Sequence, residues 1–389
     1  MRFKEFEGEW VEKIIGEVLT VGSGKDYKHL ERGNIPVFGT GGYMTSVNSY
    51  LYSGETVCIG RKGTINKPFY FNGKFWTVDT LFYTHSYQGI LPKFLFPVFE
   101  RIDWLKYNEA SGVPSLSKST IEKIPISVPN ESEQKKIAAL LFLIDYRIRT
   151  QRKIIEQLET LSKGLREKLF SQQLRFKDDN GKEFPNWEEK RMSDVYSIKT
   201  TNSFSRNDLN YENGEAKNIH YGDIHTKFQS HFKIENEIVP FVNTGINLEK
   251  INEEHYCKEG DILFADASED LNDVGKSIEI VSLKNQKVLS GLHTILARPD
   301  LEKIAIGFGG HFFKSENIRR QIQTQAQGTK VASISPTRLQ RITFLLPCKK
   351  EQDILSMFLS TIAEKIKTEI ELFQQYECQK KHLLQNMFI

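Results

Sequence analysis

Two stretches of the chain repeat one spacing of apolar positions. In the first, Ile137, Leu141, Ile144, Ile148, Gln151, Ile155, Leu158, Ser162, Leu165 and Leu169 fall at alternating steps of four and three, the 3.5-residue period of a coiled-coil seam. A shift of 218 gives Leu355, Leu359, Ile362, Ile366, Glu369, Phe373, Tyr376, Lys380, Leu383 and Met387, a second seam of the same period. Each seam has two polar members at matching places, Gln151 and Ser162 in the first, Glu369 and Lys380 in the second. A lone surface helix also carries an apolar stripe, but it gives no reason for matched interruptions, so two long helices packed along these seams are predicted. Each stretch follows a proline, Pro129 or Pro347, and Gly164 is the only glycine in either.

The same shift continues upstream of the helices. Ser115-Leu-Ser117 matches Ser333-Ile-Ser335, and Ile121, Ile124 and Glu133-Gln134 match Leu339, Ile342 and Glu351-Gln352. Farther forward the offset changes. Trp10-x-x-Lys13 answers Trp187-x-x-Lys190 at 177, and Gly54-Glu55 before an apolar run answers Gly260-Asp261 at 206, so the second copy carries insertions. Each Trp is expected to plug the edge of a sheet. Between these landmarks lie short β-branched and aromatic runs broken by turn signals such as Gly39-Thr-Gly-Gly42, Asn72-Gly73 and Asn213-Gly214, the pattern of small sheets with short strands. The expected fold class is α+β, with two α/β domains and two long helices in a pseudo-two-fold repeat. The boundaries are set at residues 1–130, 131–176, 177–347 and 348–389, domain and helix alternating.

Length and composition agree. At 389 residues, with 39% hydrophobic, 11% aromatic and 26% charged residues, the chain is long enough for two folded domains and too apolar for disorder. Lys+Arg 53 against Asp+Glu 50 leaves +3, which neither demands nor excludes an anionic partner. Cys58, Cys257, Cys348 and Cys378 stand far apart with no C-x-x-C pair, so a reducing cytoplasm is expected and no zinc site or disulfide framework. Charged residues follow Met1, and no apolar run approaches the ~18 residues of a membrane span.

Catalytic motifs are mostly missing. Phe38-Gly-Thr-Gly41-Gly42 leads into Tyr-Met-Thr rather than an amphipathic helix, so it is read as a turn and not a nucleotide loop. The chain has no Pro-Pro step for an amino-methyltransferase pocket, and neither Gly22-Ser-Gly-Lys25 nor Gly275-Lys276-Ser277 completes a P-loop. After Pro299-Asp300 no acid has Lys two residues later, as a metal nuclease of that pattern requires. His220, His225 and His231 are spaced five and six apart, wrong for convergent ligands on a helix. No G-x-S-x-G elbow occurs. The chain reads as a binder.

Features suited to DNA are modest and duplicated. Gly60-Arg61-Lys62-Gly63-Thr64 is a basic turn whose glycines admit a phosphate, and Lys25, Thr40, Gly41 and Thr64 belong to it or to neighbouring loops. Arg61 could instead read guanine. The corresponding place in the second copy holds Asp266-Ala-Ser268-Glu269-Asp270, wrong for phosphate but able to accept from a cytosine amino group. Thr329-Lys330 and Ser111-Gly-Val precede the two Ser-x-Ser segments; those serines suit phosphate oxygens or helix caps equally.

The order of W-x-x-K opening, G-[ED] strand, Ser-x-Ser, P-x-x-x-E-Q and long helix, repeated twice, resembles the DNA specificity subunits of type I restriction-modification enzymes. The segment I-P-x-x-x-P-x-x-x-E-Q-x-x-I from Ile124 to Ile137 carries most of the resemblance; its echo from Ile342 to Leu355 has Thr343 for the first proline. The resemblance implies two target recognition domains, each reading half of a split sequence in double-stranded DNA, held apart by an antiparallel helix pair. It also implies two methyltransferase subunits and two translocase-nuclease subunits as partners. S-adenosylmethionine, ATP and Mg would sit on those partners, with none in this chain, and there would be no membrane. The alternatives are a self-contained DNA methyltransferase or nuclease, which lacks a visible donor motif, and a coiled-coil scaffold, which would show no salt-sensitive DNA binding.

If the helices are antiparallel, seam chemistry selects a register. Setting Gln151 opposite Lys380 and Ser162 opposite Glu369 also pairs Ile148 with Leu383, Ile155 with Tyr376, Leu158 with Phe373 and Leu165 with Ile366. The neighbouring register sets Gln151 against Phe373 and leaves polar groups unpaired, at about 1–3 kcal/mol each. The expected rod over residues 137–169 is on the order of 50 Å long, and a heptad inserted at one level in both helices should lengthen the unspecified spacer in the DNA.

Overall fold

The structure, a computed structural model, describes residues 2–328 and 330–388. Contacts divide the chain into two units, Met1–Ile155 with Glu369–Ile389, and Glu156–Thr368. The division falls inside both long helices, Glu131–Phe170 and Lys349–Asn386. Among the described residues no helix is long and apolar enough to cross a membrane.

In the first unit, strand β1 (Val11–Ile14) carries the W-x-x-K opening and pairs antiparallel with β8 (Pro125–Val128), so the two ends of the domain close on each other. Between them runs a six-stranded sheet. In chain order its strands are β2 (Thr20–Ser23), β3 (Arg32–Gly39), β4 (Gly42–Val47), β5 (Tyr52–Gly60), β6 (Phe69–Thr77) and β7 (Leu81–His85), and in space they run β2-β7-β5-β6-β3-β4. The helix Pro92–Arg101 begins on a proline, whose missing N–H costs nothing at that position. It buries Phe94, Leu95, Val98 and Phe99. Those rings share one core with Trp104, Ile137, Leu141, Ile144 and Ile148 of the first long helix and with Leu383, Met387 and Phe388. Trp10 packs edge-on against Phe94 and Phe388 in that core. Residues Gly39-Thr-Gly-Gly42 form the hairpin turn between β3 and β4, with Gly42 at φ +103°, a left-handed backbone that glycine adopts without a Cβ clash.

The second unit repeats the closure: β9 (Glu188–Arg191) pairs antiparallel with a strand at Thr343–Leu346. Its interior is larger. Strands β10 (Tyr196–Lys199), β11 (Leu209–Asn210), β12 (Lys217–Ile219), β13 (His231–Lys233), β14 (Phe241–Val242), β15 (Ile262–Ala265), β16 (Ala267–Ser268), β17 (Ser277–Ser282), β18 (Val288–Ser290), β19 (Thr294–Pro299), β20 (Ala332–Ser333) and β21 (Thr343–Leu346) follow in order. They form a five-stranded sheet β10-β19-β15-β17-β13, a four-stranded sheet β11-β14-β12-β18 and the small ladder β16-β20. The four-stranded sheet is the lengthening that the changed offsets announce.

The most specific motif of the sequence is a fastening in both units. Buried Gln134 accepts from Leu91 N at 2.8 Å and donates to the carbonyls of Gly89 and Pro129, both at 2.9 Å. Its counterpart Gln352 accepts from Ala305 N at 2.9 Å and donates to Lys303 O at 2.8 Å and Pro347 O at 2.9 Å. The adjoining glutamates are fully buried and each holds an arginine by two nitrogens, Glu133 with Arg2 and Glu351 with Arg175. Each pairing holds the arginine's pKa above its usual value, its hydrogen bonds to the carboxylate being the main cause. Glu351 also accepts from Trp187 Nε1 at 2.9 Å. The polar dipeptide thus ties the long helix to the loop before a core helix and to the segment that opens the unit.

None of the twenty seam positions is exposed, as the periodicity requires. The register differs from the expected one. In the first unit Gln151 Nε2 donates to Glu369 O at 3.1 Å and also to the Glu369 carboxylate, so Gln151 does not meet Lys380 and Ser162 is not opposite Glu369. Lys380 instead reaches Asp145 at 2.6 Å and Glu100 at 2.7 Å. The 145–380 and 151–369 contacts together run antiparallel. The expectation failed because it sought every polar partner within the seam, whereas the long lysine stem carries its charge past the seam to carboxylates at its rim.

Candidate nucleic-acid interface

In the first unit, the chain leaving β5 bonds to two other segments. Arg61 N donates to Thr80 O at 2.8 Å, and Leu116 N donates to Arg61 O at 2.9 Å. Lys62 bridges Ser115, and Gly63 N donates to Pro114 O at 2.8 Å. The result is an open cleft lined by Arg61, Lys62, Asp79, Thr80, Ser117 and Lys118, among others. The basic turn and the Ser-x-Ser segment, far apart in sequence, meet here. A Cβ on Gly63 would stand 3.6 Å from Thr40 Oγ1, so the hairpin turn with Thr40 and Gly41 flanks the basic turn, and Thr64 follows on the same loop. Lys25 is exposed, and its amide donates to Thr77 O at 2.8 Å, at the start of the strand connection that supplies Thr80.

Arg61 and Lys62 are exposed. Arg61 Nη1 lies 3.4 Å from Asp79 O and its guanidinium 5.9 Å from the Phe82 ring centre; among the described residues neither cation has a carboxylate within ion-pair distance. Ser117 is occupied differently. Its hydroxyl caps the helix Lys118–Glu122 by accepting from Thr120 N at 3.1 Å and donates to Glu109 at 2.7 Å. Hydrogen bonds from Thr120 and Ser117 hold the Glu109 carboxyl below its usual pKa. Ser335 caps Pro336–Leu339 in the same way. Capping accounts for both serines.

The second unit has the equivalent backbone arrangement with different side chains. Asp266 N donates to His293 O at 3.0 Å and Ile334 N donates to Asp266 O at 2.8 Å; Ala267 and Ser268 pair with Ser333 and Ala332. Ser268 Oγ accepts from Asp270 N at 3.1 Å, and Glu269 is exposed beside it. Lys330 is exposed on the loop closed by Gln327 and Ser333, which exchange two backbone hydrogen bonds at 2.8 and 2.7 Å. Thr329 lies outside the described residues. Asp266 Oδ1 is 3.2 Å from His293 Nδ1, and the His293 ring stands edge-on to Tyr221 at 5.3 Å. Burial raises the Asp266 pKa, against the opposing pull of His293. Sequence reading passes over Thr80 and His293, which reach these places through the β5–β7 and β15–β19 pairings, and over Lys118, the first residue of the helix that Ser117 caps.

An internally duplicated protein, whose two units are closed in the same way and each bring polar side chains together at the end of a central strand, is the class these features define. The sequence model described as type I restriction modification DNA specificity domain matches residues 7–160 and again 185–374. The chain belongs to that family. It is 28% identical over 289 residues to the specificity subunit of the type I restriction enzyme MjaVIII of Methanocaldococcus jannaschii, covering 71% of this chain and 64% of that protein. It is 26% identical over 156 residues to the EcoprrI specificity subunit of Escherichia coli, 37% of this chain and 38% of that one. The chain therefore spans less than two thirds of the length of these relatives. In fold it resembles the S subunit of a type I restriction-modification system from M. genitalium, with TM-score 0.65 and 14% identity over 100% of this chain and 99% of that one.

Proposed function

We propose that this chain is the DNA specificity subunit of a type I restriction-modification complex, without catalysis of its own. Each unit reads one half of a split target in double-stranded DNA, and the chain directs adenine methylation and restriction by partner subunits. The observation that carries this reading is the family match occurring twice, once over each unit's landmarks. Two methyltransferase subunits and two translocase-nuclease subunits are the partners, bringing S-adenosylmethionine, ATP and Mg with them. Cations without carboxylate partners in the first unit's cleft suit backbone phosphates or guanine, and the acceptors at the matching place in the second unit suit base amino groups.

Exchange of residues 188–346 for the corresponding part of a relative with a different target, followed by mapping of methylated adenines in cells, tests the reading. One half of the methylated motif should change and the other stay. A change in both halves, or methylation that does not depend on this chain, would overturn it.

A further inference from the structure

One position of the repeat carries opposite charge in the two units, Arg61 in the first and Asp266 in the second. Two backbone hydrogen bonds establish the equivalence in each unit. Arg61 donates to Thr80 and accepts from Leu116; Asp266 donates to His293 and accepts from Ile334. Leu116 and Ile334 are 218 apart, the offset of the whole rear of the repeat. Each residue directly follows the central strand of its sheet, β5 or β15, whose last residue pairs with the first of β7 or β19: Gly60 with Leu81, Ala265 with Thr294. Arg61 and Asp266 therefore occupy the same position, and Thr80 and His293 occupy the next one across the ladder.

We propose that Asp266, oriented by His293, is a base-reading residue for the half-site of the second unit, accepting from the N4 amino group of cytosine at the position where Arg61 reads guanine in the other half-site. This rests on the specificity-subunit reading above. A carboxylate repels phosphate, so Asp266 is unsuited to hold backbone. In the major groove only cytosine and adenine present amino donors, and Asp pairs with the cytosine one. Arg61 has the reverse chemistry, a planar fork of donors that fits guanine O6 and N7.

The surroundings of Asp266 support this role. Its side chain is 30% exposed, and His293 Nδ1, 3.2 Å from Oδ1, is the hydrogen-bond partner of the carboxylate among the described residues. His293 sits at φ +55°, a left-handed conformation uncommon for a residue with a side chain. That backbone turn sets the imidazole beside Asp266, where Tyr221 stands against its ring. A non-glycine residue held in this conformation marks a position fixed by its surroundings.

The experiment is selection from a randomised duplex library by the full chain, as wild type and as Arg61→Ala, Asp266→Ala and Asp266→Asn. Wild type should enrich a bipartite sequence. Asp266→Ala should lose preference for one base pair in one half, discrimination there falling about tenfold or more, and Arg61→Ala should do the same in the other half. Asp266→Asn keeps the shape of the side chain and adds a donor suited to adenine N6 and N7, so it should shift that same position towards adenine. If Asp266→Ala does not fold, the Asp266→Asn selection decides. An unchanged sequence from the Asp266 variants, or a change in the same half that Arg61→Ala alters, overturns the inference and leaves the function standing. A wild-type chain that enriches no sequence overturns the function itself.

Discussion

Glu279 shows how strongly surroundings govern a single residue. It is fully buried in the second unit, where its carboxylate accepts from the amides of Gly307 and Gly310 at the start of a short helix. Burial pushes its pKa up to about 7 against those hydrogen bonds. A carboxyl whose folded pKa is raised stabilises the fold fully below its unfolded pKa, and that stability is lost as pH rises through the folded value. Denaturant titrations at pH 5 and pH 8 should show the second unit losing stability on the order of 3 kcal/mol from this group, and Glu279→Gln should flatten that loss. His311 works the other way. Desolvation by burial holds it neutral, so its contribution fades as pH falls below the unfolded histidine value.

For Gln134, replacement by Leu strands Leu91 N and two carbonyls, and should cost about 2–4 kcal/mol, read as a lower unfolding midpoint in calorimetry. In the first cleft, Lys62→Ala should flatten the salt dependence of duplex binding by about one unit for every sequence alike. The Glu-Gln motif was plain in the sequence while its task was not, because Leu91, Gly89 and their counterparts reach it only through tertiary folding. His293 left no sequence signal at all.

At the scale of elements, the two helices were legible because a 3.5-residue period sustained over ten positions places every apolar side chain on one helical stripe and fits neither a strand nor a loop. Their register was not. Apolar seams fit one another at several heptad shifts, and the choice turns on where polar side chains find partners. Lys380 found Glu100 and Asp145, and neither belongs to a seam. The Gln151–Glu369 contact gives a sharp expectation. Gln151→Leu or Glu369→Leu alone should destabilise the first unit by about 1–3 kcal/mol, while the double replacement should be close to neutral or stabilising. Chemical denaturation of the four chains measures the coupling, and additive single effects would refute a direct contact.

For the whole molecule, the duplication was readable from residue pairs such as Trp10 and Trp187 or Gln134 and Gln352, because it preserves the parts that fasten each unit. What differs is equally informative. The first unit carries the β3–β4 hairpin, and the second the four-stranded sheet from Leu209 to Ser290. Short strands with few alternating positions gave no periodicity from which that sheet could be foreseen. Replacing residues 32–47 with the matching segment of a relative should alter only the half-site of the first unit, as methylation mapping would show.

Residues 151 and 369 occupy the same rung of the repeat, and they touch each other. Had the second half remained a faithful copy of the first, that rung would have set a group against its own duplicate. Two carboxylates there would repel and two amides would attract only weakly, whereas one of each makes a charge-assisted hydrogen bond. The unlike pair at this rung therefore holds the two helices more firmly than either like pair would.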